Sequence, residues 1–343
     1  MKAYGKKLVR LVSLLALIAL VLPLCGCAKP IDMHGHTKMY GVNIHNKNYP
    51  SYPGEFTDEY LDLAAYMGSN IVRINDNPTD EESVKYMKSI AKKCHSRGMQ
   101  IMLCMDDKNG TPEEIADRMT YIAENLASDI DYFQVFNETD IWCSQNDDGS
   151  YYNNVYDWTG MTEDYYNPER VAICVEKMAA AVKAFRAAAP DAQLVINIGS
   201  RHYPVLDKYI EAGIEWDIIG YDIYELDIWD HAAFFKEMEE RYPGYDFMVT
   251  ECNCPPSNPF KEEKRDKWIQ KFFDIMEAYD SDRMKAVILY ELMDEPNFEV
   301  EKGGIYDGES HFGLVNANED YTPGAPKSSY FAARKWILGD DAE

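Results

Sequence analysis

Two glutamates follow apolar strand patterns, a sequence context that suits acid–base chemistry. Glu138 follows the segment 133–136, in which apolar and polar residues alternate as in a short strand with one face in a core. A carboxyl group at the end of a buried strand is partly desolvated, which raises its pKa and lets it carry a proton near neutral pH. Glu251 follows a second apolar segment, 247–250. For Glu138 taken alone, an ordinary surface position in a loop is the alternative.

The surrounding chain alternates between strand and helix patterns. The strand patterns cover 39–44, 70–74, 100–105, 132–136, 193–198, 217–221, 247–250 and 285–290, and helix patterns follow them. Eight such units predict a single α/β domain, a (β/α)₈ TIM barrel over residues 39–339. A doubly wound open sheet is the rival, but no glycine-rich phosphate turn follows the first strand.

The barrel prediction brings the two glutamates together. Strands four and seven face each other across the mouth of such a barrel, so Glu138 and Glu251 can converge there. Hydrolysis of a glycosidic bond with retention uses two carboxyl groups about 5–5.5 Å apart, one attacking the sugar and one transferring protons. The long loops 139–167 and 291–327 would lie on the same face, where barrel active sites are found.

The motif Asn137-Glu138, together with Glu251, resembles the catalytic residues of glycoside hydrolase clan A, a group of retaining (β/α)₈ enzymes. The resemblance covers most of residues 39–338. It implies that Glu138 is the acid/base, that Glu251 is the nucleophile and that Asn137 binds the 2-hydroxyl group of the sugar. It also implies a retaining hydrolase that cleaves β-linked glycans or glycosides, with an oligo- or polysaccharide as substrate.

Further similarities are Arg73 at the end of strand two, Tyr224 after strand six and the segment 312–315. The resemblance implies that Arg73 and Tyr224 hold the carboxylate of the nucleophile. Thr139 stands where clan members often have proline, and Tyr290-Glu291 stands where many have tryptophan. Features similar to families 39, 5 and 53 occur together, so the family within the clan and the sugar stay open.

Other residues could line the site. His202 follows strand five and could contact substrate, or it could cap or pack a helix. Tyr290 and the acidic residues that follow it could bind sugar hydroxyls or a cation, although acidic loops are usually solvated. Trp142 belongs to an aromatic group that could stack on sugar rings or form the loop's own small core. The acidic residues are Glu291, Asp294 and Glu295, and the other aromatic residues are Tyr151, Tyr152, Tyr156 and Trp158.

The N-terminus has the pattern of a lipoprotein signal peptide. A basic start precedes an apolar run over 11–22, and the segment 1–27 ends in Leu-Cys-Gly-Cys. This ending resembles a bacterial lipobox, which implies cleavage before Cys27 and its acylation. The protein would then be tethered to a membrane outside the cytoplasm, with residues 28–38 as the tether. An ordinary secretory signal or a short membrane helix is the alternative, but the run is short for a bilayer span.

The composition limits the kinds of molecule that the protein is expected to bind. Acidic residues outnumber basic ones by 59 to 34, giving a net charge of −25, so nucleic acid is not expected to bind. The cysteines after Cys27 show no disulfide framework, and neither a cofactor nor a structural metal is expected. Two rival functions are a non-catalytic carbohydrate-binding lipoprotein on the same scaffold and a metal-assisted hydrolase. The paired glutamates disfavour the first, and the lack of a histidine-rich set at the strand ends disfavours the second.

Overall fold

The computed structural model describes residues 31–154, 160–199, 201–224, 231–254, 261–296 and 309–339. The predicted signal peptide and Cys27 lie outside these residues. Within these ranges, no helix combines the length and the apolar character needed to cross a bilayer.

Eight parallel strands form a closed barrel in which each strand pairs with its neighbours in chain order. The last strand pairs with the first, through Met39 opposite Ala286 and Val42 opposite Leu289. The predicted (β/α)₈ barrel is therefore confirmed. The strands are β1 (Met39–His45), β2 (Ile71–Asn75), β3 (Gln100–Met105), β4 (Tyr132–Val135), β5 (Gln193–Gly199), β6 (Ile218–Ile223), β7 (Asp246–Cys252) and β8 (Met284–Leu289).

Helices surround the barrel, and several begin at residues that the sequence marks as caps. Asp80 accepts a hydrogen bond from the backbone of Ser83, and Thr111 accepts one from Glu114, each within a reciprocal capping box. The helices described are α1 (Thr57–Met67), α2 (Glu81–Ser96), α3 (Pro112–Leu126), α4 (Thr139–Cys143), α5 (Pro168–Ala188), α6 (Tyr203–Glu211), α7 (His231–Arg241), α8 (Glu262–Ala278) and α9 (Ser328–Leu338).

Three details differ from the sequence prediction. Glu251 lies inside β7 rather than after it, because pairing with β6 continues to Cys252. The chain after Glu138 forms the short helix α4 where only a loop was expected. The long loop after β8 contains an antiparallel pair, β9 (Val315–Ala317) and β10 (Pro323–Pro326), which are only three and four residues long.

A separate apolar layer lies inside the barrel near the start of its strands. It includes Met39, Ile71 and Met248, and Met33 packs against it from the segment before β1. In the same segment, the ring of His36 stacks on Trp336 with the ring centres 4.4 Å apart. Residues 31–38, predicted to belong to a tether, therefore make side-chain contacts with the barrel.

Candidate active site

The backbone turns sharply where β4 ends. Phe136 has a φ of 61° and Glu138 a φ of 41°, values in the left-handed region that bulky residues seldom adopt. Neighbouring strands hold this turn: the amide of Asn137 donates to Asp106 Oδ1 at 2.8 Å, and that of Glu138 donates to Asn197 Oδ1 at 3.0 Å. Backbone strain that neighbouring contacts maintain in this way is typical of functional sites.

Arg73 is fully buried in β2 and connects four strands. Its Nη1 donates to Glu251 Oε1 at 2.7 Å and to Asn43 Oδ1 at 2.6 Å. Its Nη2 donates to Asn137 Oδ1 at 2.8 Å, and its Nε donates to Gln134 Oε1 at 2.8 Å. The rigid guanidinium fork thereby fixes the Asn137 and Glu251 side chains relative to one another.

Glu251 has a defined partner for each carboxylate oxygen. Arg73 occupies Oε1, and the hydroxyl of Tyr224 donates to Oε2 at 2.7 Å. The structure thus makes both contacts that the resemblance implies for this carboxylate. The side chain is buried, so the positive charge of Arg73 offsets the cost of removing the carboxylate from water.

Glu138 lies in an opposite electrostatic environment. Burial raises its pKa well above the ordinary value for glutamate, and the negative charges of Asp222, Glu251 and Asp140 raise it further. The raised pKa favours the protonated form of this carboxyl group, which is the form in which a general acid acts. The two glutamates are differentiated by their surroundings, one facing acidic neighbours and the other paired with arginine.

Asn137 is oriented by three donors. Its Oδ1 accepts from Arg73 Nη2 at 2.8 Å, Gln134 Nε2 at 3.0 Å and Asn197 Nδ2 at 2.8 Å. The amide group is thereby fixed, and no described residue accepts a hydrogen bond from its Nδ2. This nitrogen is available to donate to a substrate hydroxyl, which is the contact that the resemblance implies.

His202 contacts Asp140, two residues beyond Glu138. It is buried, with Nδ1 2.7 Å from Asp140 Oδ2, and its ring meets those of Tyr165 and Tyr166 edge-on. Gly160 lies so close that a Cβ there would be 2.2 Å from the His202 ring. These contacts correspond to the packing alternative for His202, and its side chain makes no cap for α6.

Trp142 packs against Arg170. Its indole ring lies in α4 under the guanidinium group of Arg170, whose carbon is 4.7 Å from the ring centre. Tyr151 stacks on Tyr165 with the centres 6.2 Å apart, which agrees with a small loop core. Tyr156 and Trp158 lie outside the described residues.

Tyr290 and the acidic residues after it follow β8. The ring of Tyr290 lies 6.3 Å from that of Tyr224. Glu291, Asp294 and Glu295 are all buried, so the alternative of a solvated acidic loop is wrong. Gly313 permits this arrangement, because a Cβ at its position would be 2.0 Å from the backbone nitrogen of Asp294.

Several site residues were missed in the sequence. They share one property, namely a polar side chain buried inside an otherwise apolar strand. That combination is the signal that could have found them, because a buried polar group needs a partner. They are Asn43 in β1, Gln134 in β4, Asn197 in β5 and Asp222 in β6.

The Arg73 contacts predict a large effect for a change that keeps the charge. Arg73→Lys retains one positive group but loses the fork, so Glu251 and Asn137 are no longer fixed together. We expect kcat/KM to fall about 100-fold, the size of effect that a misplacement of about 1 Å can cause. The matched control is Arg97→Lys at the exposed pair with Asp62, measured by the same kinetics and by thermal unfolding. Wild-type kcat/KM in a folded Arg73→Lys protein would contradict this role.

Comparison with known proteins identifies solved structures that share the fold of this chain. No known family profile matches the chain, and no curated protein sequence matches it. Solved structures do match, among them the family 1 β-glucosidase from Thermotoga maritima, at 11% identity and a TM-score of 0.65, covering 88% of this chain and 98% of that one. The hyperthermophilic β-glucosidase from Pyrococcus furiosus matches at 11% identity and a TM-score of 0.67, covering 88% and 95%.

A third match is the virulence factor SghA from Agrobacterium tumefaciens, at 13% identity and a TM-score of 0.63, covering 89% of this chain and 98% of that one. In each comparison the aligned region includes nearly the whole of the other chain. At such low identity the agreement concerns architecture. The chain therefore has the (β/α)₈ barrel fold of family 1 β-glucosidases.

Proposed function

We propose that the protein is a retaining glycoside hydrolase of clan A that cleaves β-linked glycans or glycosides by double displacement. The observation that carries the proposal is the contrast between the two glutamates. Glu251 pairs with Arg73 at 2.7 Å, whereas burial and acidic neighbours raise the pKa of Glu138. An ionised carboxylate beside a protonated carboxyl group is the arrangement that a retaining mechanism requires.

Each residue has a role in the proposed reaction. Glu251 attacks the anomeric carbon while Glu138 gives its proton to the leaving oxygen, so the aglycone departs and a glycosyl-enzyme ester forms. Glu138, now ionised, takes a proton from water, and the resulting attack frees the sugar and restores Glu251. Asn137 donates to the 2-hydroxyl group, a contact that strengthens in the transition state.

The structural neighbours support the choice of substrate class. Two are named β-glucosidases, and one structure is a complex with glucoimidazole. A screen of chromogenic aryl β-glycosides and of β-linked polysaccharides tests the proposal. We expect turnover of at least one, with the first product retaining the β configuration by NMR. An inverted first product would overturn the retaining mechanism. Saturable sugar binding without turnover would favour the non-catalytic binding protein.

We also propose that the protein is held outside the cytoplasm by a lipid on Cys27. The basic start, the apolar run and the Leu-Cys-Gly-Cys ending support this location. Mass spectrometry of protein extracted from membranes provides the test. We expect a mature N-terminus at Cys27 with added diacylglycerol mass, and a different N-terminus without lipid would contradict the proposal.

A further inference from the structure

A buried group of three residues from opposite ends of the barrel sequence lies beside the catalytic pair. His45 ends β1, whereas Glu291 and Glu295 follow β8. One nitrogen or oxygen atom from each lies within 4.8 Å of the others. His45 Nε2 is 3.3 Å from Glu291 Oε2 and 3.3 Å from Glu295 Oε1. These separations exceed the roughly 2.7–2.9 Å of a direct charge-assisted hydrogen bond.

Both carboxylates have an oxygen without a donor. Glu291 is 0% exposed and Glu295 is 4% exposed. Within the described ranges, nothing donates a hydrogen bond to Oε1 of either residue. Burying an acceptor in this way is costly unless something else satisfies it. The two orphaned oxygens therefore point to an occupant.

The surrounding hydroxyl groups hold the carboxylates in place. Tyr49 donates to Glu295 Oε2 at 2.9 Å, and Tyr52 donates to Glu291 Oε2 at 2.8 Å. Outer partners of this kind typically orient the ligands of a metal.

We infer that His45, Glu291 and Glu295 bind a divalent transition metal such as Zn²⁺ or Mn²⁺. An imidazole with two carboxylates is a ligand set that such ions accept, while Mg²⁺ and Ca²⁺ prefer oxygen alone. With metal–ligand distances of about 2.1 Å, the 3.3 Å between His45 Nε2 and the orphaned Oε1 of Glu295 corresponds to an angle of about 104° at the metal. That angle is close to tetrahedral. This inference does not depend on the proposed hydrolase activity.

A proton shared between the two carboxyl groups is the competing occupant. Burial raises the pKa of Glu291 to about 8 and that of Glu295 to about 9, and the two groups contact each other. A shared proton satisfies one orphaned oxygen without any ion. The two occupants differ in whether the purified protein takes up metal.

Metal uptake by the intact protein provides the test. Wild-type protein is stripped with a chelator, titrated separately with ZnCl₂, MnCl₂ and MgCl₂, and analysed by calorimetry and elemental analysis. We expect one equivalent of Zn²⁺ or Mn²⁺, a higher melting temperature on binding and much weaker binding of Mg²⁺. Substitution with Co²⁺ should give the visible absorption of a site with nitrogen and oxygen ligands. Failure of wild type to take up Zn²⁺ or Mn²⁺ at millimolar concentration would overturn the inference.

Variants then localise the ion. Glu291→Gln and Glu295→Gln keep the side-chain shape but remove the charge of a metal ligand. Each should weaken metal binding at least about 100-fold, because loss of a residue that only orients a metal ligand already costs up to about 100-fold in affinity. His95→Ala, at an exposed histidine paired with Asp131, is the matched control and should bind as wild type does. Unchanged affinity in both glutamine variants would place the ion elsewhere. Because binding is read directly, an inactive but metal-binding protein would contradict only the hydrolase proposal.

Discussion

Replacing Glu251 with alanine is expected to abolish turnover. In the proposed mechanism only this carboxylate forms the bond to the sugar, so its removal eliminates the covalent intermediate. We expect kcat to fall by at least about 10⁴-fold, within the range seen when a nucleophile is removed from an enzyme. Loss of the side chain also leaves a gap beside Arg73 and Tyr224. Azide or formate can enter such a gap and attack in place of the carboxylate.

This chemical rescue separates a lost nucleophile from a damaged fold. The anion attacks from the same face as Glu251 would, and no second displacement follows, so the product has inverted configuration. The matched control is Glu263→Ala in the first turn of α8, an exposed glutamate whose loss should leave kcat unchanged. Wild-type kcat in the Glu251→Ala protein would contradict the assignment.

Replacing Glu138 with alanine is expected to affect substrates unequally. Glu138 supplies the proton that the leaving oxygen needs, so poor leaving groups should lose several thousand-fold in kcat/KM, near the roughly 10²–10⁴-fold ascribed to acid–base catalysis. Activated aryl glycosides leave with little proton assistance and should lose much less. The measurement is log kcat/KM against leaving-group pKa. The slope should steepen relative to wild type and to the exposed control Glu124→Ala. An equal loss across the series would exclude Glu138 as the acid.

The pH profile provides a second test of the same residue. Glu138 acts as an acid only while protonated, so kcat/KM should fall as the pH rises through its pKa. Burial and the charge of Asp222 raise that pKa, which moves the fall toward alkaline pH relative to an ordinary glutamate. With an activated substrate, the alkaline fall should disappear in Glu138→Ala. If the alkaline fall in kcat/KM persists in Glu138→Ala, it arises from the titration of another group.

Local patterns were sufficient to predict the barrel. Apolar segments with strand or helix patterns predicted the eight strands and the helices between them, and Asp80 and Thr111 cap two of these helices. The strand patterns at 132–136 and 247–250 predict that Glu138 and Glu251 share one mouth of the barrel. The strands and the positions of the two glutamates could be predicted because both depend on the short-range periodicity of apolar residues in the sequence.

The site's interior could not be predicted in the same way. Asn43, Gln134 and Asn197 look like ordinary polar residues, and their role depends on which residues the closed barrel brings together. His45 is 246 residues from Glu291 in sequence yet adjacent in space, because β1 pairs with β8. No local pattern contains the information that these residues are neighbours. The left-handed turn at Phe136 is likewise maintained by contacts from other strands.

The apolar layer at the start of the strands also has a consequence for producing the protein. Met33 packs against that layer, and His36 both stacks on Trp336 and contacts the backbone oxygen of Ile337 at 3.0 Å. The compact unit begins at Ile31, before the first strand. A recombinant chain that starts at Met39, at the edge of β1, would lack these contacts and leave uncovered the part of the layer that Met33 packs against. Exposed apolar surface promotes aggregation, so an expression boundary at or before residue 31 keeps this surface covered.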